Sequence, residues 1–106
     1  MTIHIVKKGQ IVLNKAPIVY CGRGSALGNP YPMSGEDMRD QVCDDYEKWF
    51  ISHLNHPEHD LFHQQLSKIE KLAREGDVNL QCYCAPKRCH TETIRKYVES
   101  KLLAEK

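Results

Sequence analysis

Nowhere in the 106 residues does an apolar run approach the roughly 20 residues that a membrane helix needs. The opening stretch, MTIHIVKKGQ, lacks the basic start, long apolar core and small-residue cleavage site of a signal peptide, so a cytoplasmic, reducing location is expected. Net charge is nearly absent: 15 Lys and Arg against 14 Asp and Glu leave a formal +1. No global field therefore draws the chain to nucleic acid or to a membrane surface. Aromatic and basic residues are not interleaved either, which weakens a nucleic-acid-binding reading. There is no repeat, low-complexity tract or linker, and the length suits one domain over residues 1–106. Cysteine is the exception to this scarcity. There are five, an odd number in a chain with no sign of secretion, which favours thiols or metal ligands over a disulfide framework.

The rest of the chain reads as alternating strands and helices. IHIVKKGQIVLN predicts an N-terminal β-hairpin, its runs Ile3 to Val6 and Ile11 to Leu13 flanking a Lys-Gly turn in which Gly9 takes positive φ. Pro17 opens a short buried strand over Ile18 to Cys21. A first helix is expected from Ser34, with Asp37 closing a capping box and Met38, Val42, Tyr46, Trp49 and Phe50 on one face. Asn55-His56-Pro57 breaks it, with Pro57 suited to the start of a second helix. Phe62, Leu66, Ile69 and Ala73 line that helix, and Gly76 caps its end. VNLQCYC is the next strand, Leu80, Cys82 and Cys84 on one face and Asn79, Gln81 and Tyr83 on the other. A last helix starts near Thr91, its inner side formed by Ile94, Tyr97, Val98 and Leu102. The expected fold is α/β: a small Rossmann-like sandwich with a partly parallel sheet, the N-terminal hairpin and about three helices.

Two loops stand out, and both follow strands. Ligands of α/β sheets sit beyond the carboxyl ends of strands, so the loops at 22–32 and 84–91 should open on one crevice. The first, in YCGRGSALGNPYP, offers Arg23, Gly24, Ser25, Gly28 and Asn29 as candidate ligand-binding residues. Glycines let the main chain approach a ligand, successive amides can form an anion nest, and Arg23 can hold a phosphate or carboxylate with paired hydrogen bonds. A loop arginine adds little to core packing. The GxGxxG dinucleotide spacing is not met, and no cofactor is implied. Arg39 joins the candidates, because a cation at a helix start opposes the helix dipole; a side chain pointing into the crevice accounts for this, and an exposed arginine is the equal alternative.

The second loop runs from Cys84 through Lys87 and Arg88 to Cys89 and His90. Helix start and cations both favour a thiolate at Cys89, with His90 beside it as base; Cys84, Cys89 and His90 are the candidate catalytic residues. Zinc held by Cys82, Cys84, Cys89 and His90 is the competing reading. The spacing C-x-C-x₄-C-H departs from the C-x₂₋₄-C pairs of structural sites, and adjacent Cys89 and His90 would strain to reach one ion. A third reading makes the cysteines small buried hydrophobes. A site loop without metal is preferred. His53, His56, His59 and His63 carry no accompanying metal motif and read as a solvated face.

YCGRGSALGNPYP, MRDQVCDDYEKWF and LQCYCAPKRCHTETI, in that order over about residues 12 to 98, resemble the domain of unknown function 4326 family of bacteria and their phages. The resemblance marks Arg23, Ser25, Gly28, Asn29, Pro30, Arg39, Cys82, Cys84, Pro86, Cys89 and His90, and implies one site made by both loops. It implies no established activity. The closing block is also similar to the Cys-x₆-Cys-His-Arg ending of another uncharacterised Rossmann-like family with a suspected nucleotide-related ligand, although Thr91 stands here in place of that arginine. The expected function is to bind, or bind and process, a nucleotide, nucleobase or related phosphorylated metabolite, in the host cytoplasm if phage-encoded. The alternative is a zinc-stabilised protein-interaction module. No membrane partner is expected, and nothing in the pattern sets an oligomeric state.

Overall fold

The computed structural model describes residues 2–31, 35–56, 60–84 and 87–105. Three strands form one sheet: β1 (Ile3–Lys7), β2 (Ile18–Tyr20) and β3 (Val78–Cys82). The order is β1-β3-β2, and both pairings are parallel. Ile3 lies opposite Val78 and Lys7 opposite Cys82, while Ile18 and Tyr20 face Asn79 and Gln81. The described residues also form three helices, α1 (Arg39–Leu54), α2 (Asp60–Glu75) and α3 (Thr91–Ala104), with one 3₁₀ turn, Glu36–Met38, leading into α1. None of the described helices is long and apolar enough to cross a membrane.

The expected hairpin forms only its first half. Gly9 does take φ of +90°, and the Gln10 amide closes the turn on the Lys7 carbonyl. Ile11 and Leu13, however, lie outside any strand and are 82% and 91% exposed. The reason is topological. β1 and β2 lie on opposite sides of β3 and run the same way, so residues 8–17 must carry the chain back across the sheet rather than zip against β1. Asn79 pins that crossing: its side chain exchanges hydrogen bonds with the side chain of Asn14 and donates to the Ala16 carbonyl. The sheet is thus parallel throughout. Asn79, placed by alternation on a more polar face, is fully buried, as befits a central parallel strand covered on both sides.

The helices meet the periodic reading closely. Tyr46 and Phe50 of α1, Phe62, Leu66, Ile69 and Ala73 of α2, and Ile94, Val98 and Leu102 of α3 pack with Val78 and Leu80 in one core. Phe50 is the hub of its aromatic part, with ring centroids 5.3 Å from Phe62 and 5.5 Å from Tyr97. α1 begins at Arg39 rather than Ser34, after the 3₁₀ turn, which has no side-chain cap. Ser34, Pro57, His59 and Pro86 fall outside the described residues. Gly76 follows α2 and its amide bonds the Leu72 carbonyl, but its φ is not positive.

Candidate functional site

β2 and β3 are adjacent and parallel, so both special loops leave the same edge of the sheet. The Cys21 amide extends the ladder by one more bond, to the Gln81 carbonyl. The first loop then folds back on itself. Ser25 Oγ and the Ser25 amide both donate to the Gly22 carbonyl, at 2.7 and 3.1 Å. Gly24 has φ of +93°, and a Cβ on Gly28 would lie 2.3 Å from the Gly22 carbonyl oxygen. These positions need glycine because the backbone turns left-handed at one and touches itself at the other. Helices anchor the loop from below. The Tyr46 hydroxyl donates to the Leu27 carbonyl, and the Gln65 amide group bridges the Leu27 amide and the Tyr20 carbonyl.

Arg23 emerges from this turn without a carboxylate partner among the described residues. Its guanidinium donates to the carbonyls of Asn29 and Tyr31, both at 2.7 Å, so it spans the loop and holds its far end. The Asn29 side chain, buried, accepts from the Tyr31 amide.

The second loop is locked to the first by His90. Its Nε2 meets the Cys21 carbonyl, and a carbonyl can only accept, so Nε2 carries the hydrogen and Nδ1 is left as an acceptor. That Nδ1 lies 3.4 Å from Cys89 Sγ. The ring packs edge-on against Tyr46, centroids 4.9 Å apart. Burial pushes the imidazole pKa down, which keeps the ring neutral. Cys89 is buried as well, which alone would raise a thiol, yet its pKa is lowered. The hydrogen bond that links the Cys89 and Cys82 sulfurs, 2.9 Å apart, favours ionisation of Cys89 and outweighs the desolvation that opposes it. Glu92 steadies the position by accepting from the Cys89 amide. Cys21 and Cys43 are different: burial pushes Cys21 up to about 12 and also raises Cys43.

Arg39, the first residue of α1, closes the third side. Two bonds of 2.7 and 2.8 Å tie it to Glu36, and another runs to the Arg88 carbonyl. Arg39 and Lys87 together hold the Glu36 carboxyl down at about 2. The Glu36 bonds, and then the Cys84 sulfur, keep Arg39 firmly charged. Arg88 reaches in the opposite direction, to Asp40 and Asp44 on α1.

These groups surround one cavity of about 220 Å³, lined by Gly22, Arg23, Asn29, Arg39, Val42, Cys43, Tyr83, Cys84, Arg88, Cys89 and His90. Six residues proposed from sequence, Arg23, Asn29, Arg39, Cys84, Cys89 and His90, are therefore brought together. Gly24, Ser25 and Gly28 do not line the cavity; they shape the loop that presents Arg23. Sequence reasoning missed Gly22, Val42, Cys43, Tyr83 and Arg88 as wall residues. Arg88 had a signal, as a cation beside Cys89, whereas Val42 and Cys43 look like ordinary inward-facing helix positions. Of the described histidines, His53 meets the Trp49 carbonyl and His63 the His56 carbonyl. Among the described residues, no three His, Cys, Asp or Glu side chains are grouped to hold a metal ion.

The family model described as Domain of unknown function (DUF4326) matches residues 3–100. No curated protein matches the chain. No solved structure matches it either.

Proposed function

The chain belongs to the domain of unknown function 4326 family, and from that premise we propose that it binds a small anionic ligand bearing a nucleobase, or a related phosphorylated metabolite, in the cavity between the two loops. The observation that carries the reading is convergence. Arg23 from the first loop, Arg39 from α1 and Arg88 from the second loop line a single pocket beside a Cys–His pair. Glu36, Asp40 and Asp44 already pair with Arg39 and Arg88, so of these three arginines Arg23 is, among the described residues, the one whose charge is left for an incoming anion. Val42 and the half-exposed Tyr83 ring offer an apolar, stackable wall for a planar body. The volume supports something nucleobase- or sugar-phosphate-sized, since pockets for larger ligands run to roughly 300–1,000 Å³.

If chemistry follows binding, Cys89 is the nucleophile and His90 Nδ1 takes its proton. Cys84, facing Arg39 on the same wall, is the second thiol within reach. Such thiols suit a reducing, cytoplasmic setting. The zinc-stabilised module has less support. Two thiolates on one tetrahedral zinc sit roughly 3.7 Å apart, whereas Cys82 and Cys89 are 2.9 Å apart and His90 Nε2 is engaged by the Cys21 carbonyl. The test is a thermal-shift and calorimetric screen of the purified chain against nucleobases, nucleoside mono- and diphosphates and sugar phosphates, with metal content measured on the same sample. Saturable one-to-one binding that Arg23→Ala weakens is expected. No binding across the panel, or stoichiometric zinc, would overturn the proposal.

A further inference from the structure

We infer that Cys82 and Cys89 form a redox-active dithiol, which a hydroperoxide entering through the cavity converts to a disulfide; this modification goes beyond the ligand role proposed above. The first support is distance. The sulfurs are 2.9 Å apart and an S–S bond is about 2.05 Å, so closure requires a movement under ~1 Å. The pair is held in place from both sides. Cys82 is the last residue of the central strand, Cys89 is tethered through its amide to Glu92, and Ile5 and Cys84 pack around the two sulfurs.

The second support is the difference between the two positions. Cys89 belongs to the cavity wall and Cys82 does not, so Cys89 meets the oxidant and Cys82 stands behind it as the resolving thiol. Cys89 is only 2% exposed, which admits a hydrogen peroxide molecule more readily than a bulky disulfide such as oxidised glutathione. The third support is a proton acceptor. His90 Nδ1 faces Cys89 Sγ while Nε2–H is committed to the Cys21 carbonyl.

The chemistry balances in two steps. The Cys89 thiol passes its proton to His90 Nδ1, and the thiolate electron pair attacks one peroxide oxygen. The S–O bond forms, the O–O bond breaks, and the departing hydroxide takes the proton from His90 and leaves as water. Cys89 is now a sulfenic acid. The Cys82 sulfur then attacks the Cys89 sulfur; the S–S bond forms, the S–O bond breaks, and hydroxide leaves with the Cys82 proton as a second water. Two thiols are oxidised by two electrons and one peroxide is reduced to two waters.

The test treats the full chain with hydrogen peroxide, quenches with an alkylating agent, and applies intact mass and peptide mapping. The expected result is a loss of about 2 Da, for two hydrogens, a cross-linked peptide joining Cys82 to Cys89, and full reversal by dithiothreitol. In Cys82→Ser, dimedone should trap several-fold more sulfenic acid at Cys89 than in the parent, with circular dichroism verifying the fold. Should that variant not fold, the parent cross-link decides alone. The inference is overturned if Cys82 and Cys89 both remain alkylatable after peroxide treatment. It is overturned equally by a cross-link that joins Cys89 to Cys84, or by a disulfide that forms with oxidised glutathione and not with peroxide.

Discussion

At the scale of single residues, Arg23 carries two duties that a substitution can separate. Its fork bridges the Asn29 and Tyr31 carbonyls, so a loop arginine that adds little to core packing still holds its own loop together through hydrogen bonds. Arg23→Ala should weaken binding of an anionic ligand by on the order of 2–5 kcal/mol and also destabilise the fold by about 1 kcal/mol through the lost hydrogen bonds. Arg23→Lys keeps the charge without the fork, so calorimetry should find part of the affinity retained and the loop no better held. Unchanged affinity in the alanine variant would remove Arg23 from the site. Cys21 makes a pH prediction. Burial raises its folded-state pKa to about 12, above the ordinary thiol value near 8.5. The folded chain therefore keeps a proton that the unfolded chain loses, so this contribution is complete below the ordinary value and declines as pH rises toward 12. The decline should approach about 1.4 kcal/mol per pH unit. Denaturant melts from pH 8 upward should show it in the parent and show a shallower slope in Cys21→Ala.

Among the elements, the first loop depends on α1 more than its glycine content suggests. The Tyr46 hydroxyl is its buried tether to the Leu27 carbonyl. Tyr46→Phe should cost about 1–3 kcal/mol, because the carbonyl is left without its donor, and should raise amide exchange across residues 22–29. Exchange unchanged in that segment would show that Gln65 alone suffices. The helices, the central strand and the two strand-end loops were legible because each writes a local signature: a 3.6-residue apolar period, a short β-rich run, or glycines beside arginine. The connector at residues 11–13 was misread for a physical reason. Ile11 and Leu13 have strand propensity, but whether such a run pairs depends on which side of β3 the chain must reach next. Local pattern carries no record of that. Val42 and Cys43 were missed as cavity wall for a similar reason, since an inward helix position looks the same whether it meets core or space.

For the whole molecule, the convergence of both loops at one sheet edge was readable, because parallel neighbours place their carboxyl ends together. What the cavity binds is measurable as a global property. A ligand present at about 100 times its Kd should add about 2.7 kcal/mol, which for a domain of this size raises Tm by roughly 10–20 °C. A panel that leaves Tm unchanged at such concentrations would argue against any of its members. The all-parallel sheet has another consequence, which concerns the ribosome. β1 and β2 pair only with β3, so two strands are synthesised long before their common partner exists. From Ile18 to Asn79, opposite each other in the register, translation at about 5–20 residues per second takes roughly 3–12 seconds. For that interval the nascent chain holds two unpaired β segments, and its sheet assembles only once β3 has been made.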